Sequence, residues 1–311
     1  MSPLVVVVGP TASGKTALGA ALAERVGGEV VSADAFAVYR GLDIGTAKPD
    51  PATRARVPHH LIDVADPASR YSAGTFVRDA DAAIAHIRAR GRLPVVVGGT
   101  HFYVRALLRG LFPEPAKDER LRSELEREWE RDAGAVRKRL EALDPAVAAR
   151  ILPNDRQRLL RALEVCLTAG RPMSDLWKEH ERREPRHRFM MLGLNLPRAA
   201  LHATIEARLN GMFAAGLLGE VEGLLAGGLS PRVHAFKAIG YRESCQVLAG
   251  ELTLPQAVQR ATEATRQLAK RQMTWLRTEA AVDWLAGQRD ERLEQAITRV
   301  EGRGGTGTGA V

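Results

Sequence analysis

Only two cysteines occur in the 311 residues, Cys166 and Cys245. They lie far apart, each in an apolar helical context, so a disulfide framework and a cysteine-based zinc site are both excluded and the pair reads as buried thiols. No apolar run approaches the roughly 18 to 20 residues of a membrane span. Met1-Ser2-Pro3 and the short valine run after it carry neither a basic leader nor a signal cleavage pattern, so a cytoplasmic chain with no membrane partner is the expectation. Acidic residues are in the minority, 37 against 45 Lys plus Arg, for a net charge of +8 and a pI near 9.9. That excess suits a polyanionic partner, and equally a set of arginines on solvated faces. What is present is 45% apolar residues, enough for a full core in one large domain or two modest ones.

Leu4 to Val8, Glu29 to Ser32, His60 to Val64 and Leu93 to Val97 are short apolar runs of the kind buried on both faces of a parallel sheet. Thr16 to Val26, ended by Gly27-Gly28, and Ala73 to Ala89, before Gly91, have helical spacing. The alternation predicts a doubly wound α/β core whose site lies at the carboxyl ends of the strands, with Phe189 to Leu194 as a fifth strand. Residues 1–112 are read as the first part of this core. Pro113-Glu114-Pro115 opens a helical insertion over 113–150, whose return to the core falls anywhere up to 187. Within it, Asp118 to Arg139 predicts a helix with little buried face. Asn154 to Ala169, with Asn154-Asp155 as N-cap and Leu159, Leu160, Leu163 and Leu167 as its stripe, belongs either to the insertion or to the core. Residues 151–285 continue the core with mainly helical structure, and 286–311 read as a tail, disordered from Gly302 through the glycine-rich end.

Gly9-Pro10-Thr11-Ala12-Ser13-Gly14-Lys15-Thr16 matches G-x-x-x-x-G-K-[ST] at every fixed position, between an apolar run and a helix pattern. Such a loop offers backbone N–H groups and a helix N-terminus to phosphate oxygens. Lys15 adds a charge on a terminal phosphate, and the Thr16 hydroxyl is a ligand for Mg²⁺. The ligand class is a di- or triphosphate, ATP among them. The reaction is less determined: a hydrolase of this class carries an acid at the end of a second core strand, whereas Leu93 to Val97 runs into Gly98-Gly99-Thr100. A motor or switch is disfavoured, while phosphoryl transfer and any chemistry that expels diphosphate stay open. Asp34, at the end of Val30-Val31-Ser32-Ala33, suits a general base, a water-mediated metal partner, or a simple turn residue.

Thr265 to Arg277 has helical spacing with Leu268, Ala269, Met273 and Leu276 inward and Arg266, Lys270 and Arg277 sharing the outer face. That face suits a nucleic-acid backbone with Trp275 available to stack, or a solvated helix over a core tryptophan. Lys237-Ala238-Ile239-Gly240-Tyr241-Arg242 interleaves cations with an aromatic, and Gln157-Arg158-Leu159-Leu160-Arg161 puts two arginines on one helical face. With the +8 balance these favour a phosphate-rich macromolecule.

These segments, together with Val38-Tyr39-Arg40-Gly41-Leu42-Asp43-Ile44-Gly45-Thr46-Ala47-Lys48-Pro49 and Pro58-His59-His60-Leu61-Ile62-Asp63, occur in an order that resembles the tRNA dimethylallyltransferase (tRNA isopentenyltransferase) family from about residue 4 to 285. The resemblance implies a P-loop NTPase-like α/β core with a helical insertion. It implies transfer of a dimethylallyl group from dimethylallyl diphosphate to N6 of the adenosine 3′ to the anticodon (adenosine-37), with Mg²⁺ and release of diphosphate. The loop then holds a departing diphosphate, which accounts for the missing water-organising acid.

By the same resemblance Asp34 is the base for the adenine amino group, Thr100 its partner near the amine or the leaving oxygen, and Arg208 a grip on diphosphate. The implied tRNA contacts are Asp34, Ala35, Phe36 and Ala37; Gln157, Arg158, Leu159, Leu160 and Arg161; Lys237 to Arg242; and Lys270, Arg271, Gln272, Met273, Thr274, Trp275, Leu276 and Arg277. The expected partner is the anticodon stem-loop, reached by a monomer. Ala35, Phe36, His101 and Thr204 depart from the family's usual pattern. A relative acting on free adenine nucleotides, and a small-molecule kinase, are the alternatives.

Overall fold

In the computed structural model, residues 3–112 and 118–304 are described; Pro113-Glu114-Pro115 lies outside them. In chain order the elements are β1 (Leu4–Val8), α1 (Lys15–Arg25), β2 (Gly28–Ser32), α2 (Pro51–Arg56), β3 (His59–His60), α3 (Ala73–Ala89), β4 (Leu93–Val97), α4 (His101–Arg109), α5 (Glu119–Arg131), α6 (Ala133–Leu143), α7 (Pro145–Ala148), α8 (Arg156–Ala169), α9 (Met173–Glu181), β5 (Phe189–Leu194), α10 (Arg198–Ala214), α11 (Leu217–Ala226), α12 (Tyr241–Leu248), α13 (Leu254–Thr278), β6 (Val282–Leu285) and α14 (Arg289–Gly304). Residues up to Leu108 and from Arg186 onward form one compact unit, and Arg109–Pro185 form a second.

The first unit is built on a parallel sheet of order β3-β2-β4-β1-β5-β6. β1 is Leu-Val-Val-Val-Val, buried along its whole length. A β-branched run with no polar alternation fits only the centre of a sheet covered on both faces. It pairs with β4 in the register Val5↔Val95 and with β5 in the register Leu4↔Phe189. Alternate residues feed two cores: Val6, Val31 and Val96 pack with Phe76 and Leu107 on one face, and Val5, Val7, Val30 and Val95 with Leu18 and Leu22 on the other. Because β1, β2 and β4 are neighbours and all point one way, the loops after them emerge side by side. The site follows from that placement.

Three expectations change here. The third strand is only His59–His60, at the sheet edge, because Leu61 and Asp63 take φ of +63° and +59°, which ends the extended run. The mainly helical stretch expected over 151–285 ends in an edge strand, β6, paired in parallel with β5. The expected tail carries α14, whose Ala296 and Ile297 are buried in the core that contains Leu18 and Leu22 of α1. That helix reaches Gly304, into the segment expected to be disordered; residues 305–311 lie outside the described part.

The second unit is helical and has its own core. The charged stretch after Asp118 is two helices, because Asp132 ends α5 and caps α6 by accepting from Ala135 N at 3.0 Å. α8, capped by Asp155 through Arg158 N at 3.2 Å, buries Leu159, Leu160 and Leu163 against Leu125, Val136 and Leu140. Those contacts place residues 151–185 in this unit instead of in the sheet domain. No helix among the described residues is long and apolar enough to cross a membrane.

Candidate active site

The loop Gly9 to Thr16 leaves β1 and turns into α1 through Gly14, whose φ of +86° only glycine adopts readily. No side chain caps this helix end, so its first N–H groups remain available to an anion. Lys15 Nζ donates to Pro10 O at 3.3 Å. Burial pulls its ammonium down to about 8; the nearby Asp34 carboxylate opposes that and Arg208 adds to it. The Thr16 hydroxyl is exposed beside it.

Two loops close on the phosphate loop. After β2, Asp34 Oδ1 accepts from Phe36 N at 2.8 Å and Ala37 N at 3.1 Å. The turn reading is therefore correct for one oxygen; Oδ2 has no hydrogen-bond partner among the described residues, leaving it available as a base. After β4, Thr100 Oγ1 accepts from Ala35 N at 3.1 Å, tying the two loops together and keeping its own proton free to donate. Gly98 cannot be larger: a Cβ there would sit 2.1 Å from Ala33 O.

Gln272 of α13 spans the arrangement. Its Oε1 accepts from Thr11 N at 2.7 Å and its Nε2 donates to Gly99 O at 2.8 Å. The side chain is 7% exposed, so it braces the phosphate loop against the Gly98-Gly99-Thr100 turn and does not reach a surface ligand. Gln272→Ala leaves two backbone groups unpaired and is expected to lower stability by about 2 kcal/mol, read from the midpoint of urea unfolding. An unchanged midpoint would remove the brace.

Two cavities meet at Asp34 and Arg208. The first, of about 550 Å³, is lined by the phosphate loop, Ser32, Asp34, Ile44, Thr46, Lys48, His59 and Arg208. The second, of about 430 Å³, is lined by Thr11, Asp34, Phe36, Thr46, Arg208, Lys237, Arg242, Gln267 and Arg271. One is phosphate-binding in character and the other is rimmed by cations. The Arg208 guanidinium has no hydrogen-bond partner among the described residues; burial holds its pKa below the ordinary arginine value, with Asp34 partly compensating. Lys48, by contrast, is spent: its Nζ donates to Tyr39 O at 2.7 Å, Asp43 Oδ1 at 2.6 Å and Asp63 Oδ1 at 2.5 Å. It fixes loops and has no donor left for phosphate.

The segments expected to contact RNA separate by exposure. Lys237, Arg242, Lys270, Arg271, Thr274 and Arg277 are exposed, and Phe36, Ile239 and Trp275 half-buried. Gly240, Tyr241, Met273 and Leu276 are buried and line neither cavity, so they support that surface from beneath, whereas Ala37 and Ala238, small and buried, line the first and second cavity respectively. Gln157 and Arg158 are exposed on the second unit, where Leu159 and Leu160 are fully buried and Arg161 pairs with Glu164 at 2.8 Å. Of the departures from pattern, His101 stacks on Trp275 with ring centroids 4.3 Å apart. Burial, with Lys15 nearby, brings its pKa down to about 4. Thr204 turns its hydroxyl back to Ala200 O at 2.9 Å and lines neither cavity.

No group of three or more His, Cys, Asp or Glu among the described residues could hold a metal. A cage made only of protein ligands is therefore not built. Mg²⁺, which keeps water and phosphate oxygens and needs one or two from the protein, fits the exposed Thr16 hydroxyl in the first cavity.

Residues 37–279 match the family model described as IPP transferase, and residues 2–57 match one described as isopentenyl transferase. A tRNA dimethylallyltransferase of Halorhodospira halophila is 51% identical over 300 residues, covering 95% of this chain and 96% of that protein. One of Anaeromyxobacter dehalogenans is 52% identical, covering 96% and 99%. Among solved structures, the full-length tRNA isopentenylpyrophosphate transferase of Bacillus halodurans matches with TM-score 0.72 at 36% identity over 97% of each chain. A eukaryotic dimethylallyltransferase acting on tRNA matches with TM-score 0.80 at 26% identity, covering 96% of this chain and 77% of that one.

Proposed function

The chain belongs to the IPP transferase family, and from that premise we propose that it transfers a dimethylallyl group from dimethylallyl diphosphate to N6 of adenosine-37, 3′ to the anticodon of tRNA. The observation that carries the reading is the position of Asp34. Asp34, with its Oδ2 unpartnered among the described residues, lines both the cavity of the phosphate loop and the cation-rimmed cavity.

An exocyclic adenine amine is a poor nucleophile, so it needs both placement and a proton acceptor. As N6 attacks the first carbon of the donor, the carbon–oxygen bond breaks and diphosphate leaves into the loop Gly9 to Thr16. The N6 proton passes to Asp34 Oδ2. Charge builds on the departing oxygen, and Lys15, Arg208 and the α1 N-terminus, which line the cavity it enters, would stabilise it. Thr100, with its proton unspent, donates to the leaving oxygen or orients the amine. The Thr16 hydroxyl would hold Mg²⁺, which would supply further neutralisation of that charge. The target base must leave its stack to enter the second cavity, and Lys237, Arg242 and Arg271 there would follow the RNA backbone.

Incubation with labelled dimethylallyl diphosphate and either an anticodon stem-loop RNA or AMP tests the reading. Label is expected in the RNA; label in AMP alone would overturn it in favour of a free-nucleotide prenyltransferase. If exposed Lys270 and Arg271 each neutralise one phosphate, replacing both with alanine lowers the slope of log K against log salt by about 1.5. An unchanged slope, measured by filter binding from low to moderate salt, would take them out of the interface.

A further inference from the structure

The segment Asp43 to Thr46 contributes to both cavities: Ile44 lines the first, Gly45 the second, and Thr46 both, beside Asp34 and Arg208. It has no regular secondary structure, yet three consecutive backbone amides in it are held by only two side chains. Glu220 of α11 takes Asp43 N at 3.1 Å and Ile44 N at 2.9 Å on Oε2. Tyr241 of α12 takes Gly45 N at 3.1 Å and donates its hydroxyl proton to Glu220 Oε1 at 2.5 Å. Gly45 packs so closely on the tyrosine that a Cβ there would lie 2.4 Å from its ring. On the other side Lys48 anchors Asp43.

We propose that Glu220 and Tyr241 are positioning residues for the transfer: they fix the Asp43–Thr46 wall and so set the distance between the donor carbon in one cavity and the adenine amine in the other. Tyr241 is fully buried, so it acts through this wall and not by touching RNA. The proposal rests on the prenyl-transfer reading above. Neither residue lines the phosphate loop, so diphosphate affinity is independent of them, whereas the encounter of two bound substrates is not. An error of about 1 Å in such an encounter lowers turnover about 100-fold.

The test compares wild type, Glu220→Ala, Glu220→Gln, Tyr241→Phe and Gly45→Ala in stem-loop prenylation, with separate affinities for inorganic diphosphate and for the RNA. Glu220→Ala is expected to lower kcat about 100-fold and Tyr241→Phe about tenfold, with both affinities within about threefold of wild type. Glutamine can accept from the same amides and donate to the tyrosine oxygen, so Glu220→Gln restores most of the turnover. Should Glu220→Ala fail to fold, Tyr241→Phe removes a single oxygen, and Gly45→Ala displaces the same wall from within it. Unchanged kcat in Tyr241→Phe and Gly45→Ala, or a loss of kcat matched by an equal loss of diphosphate affinity, would overturn the proposal. Absence of RNA prenylation by the wild type would instead overturn the reading beneath it.

Discussion

Asp34→Asn is expected to lower kcat for RNA prenylation by about 10³-fold while leaving the fold and the binding of both substrates in place. The two oxygens of Asp34 have different duties. Oδ1 accepts from Phe36 N and Ala37 N and shapes the turn after β2. An asparagine keeps that acceptor and therefore the turn. What it replaces is Oδ2, the oxygen without a partner, putting an N–H donor where the adenine amine needs a proton acceptor. Loss of the negative charge also leaves Lys15 and Arg208 without the carboxylate that offsets their burial. Diphosphate affinity is then expected to hold or to tighten. Single-turnover rates, calorimetric titration with diphosphate and a thermal melt separate these effects. A rate within tenfold of wild type would show that the amine needs no base here, and lost diphosphate binding would make Asp34 structural.

The legible parts of this site share a physical cause. A phosphate loop needs a strand before it, a helix after it and, here, glycine at Gly14 where φ is +86°, and all three leave marks in consecutive residues. The apolar runs of β1, β2, β4 and β5 are legible because strands buried on both faces cannot hide their pattern. β6 was not legible, since at the sheet edge Val282 and Asp283 are half-buried, Trp284 is exposed and Leu285 alone is buried, which leaves no alternation to read. α14 shows its stripe only once α1 is there to cover it. Gln272 is the instructive miss. Spacing places it on the inward face with Ala269, Met273 and Leu276, directly after exposed Lys270 and Arg271, but it cannot reveal that its amide bridges Thr11 and Gly99, 261 and 173 positions away. The same holds for Tyr241, whose companions Lys237 and Arg242 drew it into a basic patch although its hydroxyl serves Gly45 and Glu220. Contact over such separations is a property of topology, which local pattern does not encode.

Lys15→Met is expected to make the protein more stable at pH 7 and nearly inactive. In the protein alone, burial lowers the Lys15 ammonium from 10.5 to about 8, more than Asp34 restores. Between about pH 8 and 10.5 the unfolded chain holds a proton that the folded chain has released, so stability rises with pH through that window. Below about 8 both states are protonated and the folded state carries the whole penalty, up to about 3 kcal/mol. Methionine fills much of the same space without the charge; allowing for the lost bond to Pro10 O, a gain of about 1–2 kcal/mol at pH 7 is expected. Turnover depends on that charge where diphosphate departs, and kcat/KM is expected to fall about 10³-fold. The same shift predicts proton uptake. Diphosphate restores the ammonium, so binding at pH 9 should take up close to one proton more in the wild type than in Lys15→Met, and binding at pH 7 almost no more, as calorimetry in two buffers of different ionisation enthalpy would report; the comparison cancels protons exchanged by diphosphate itself. A destabilised Lys15→Met, or the same difference in uptake at both pH values, would mean that Lys15 is not held at the floor of the site as a strained cation awaiting its phosphate.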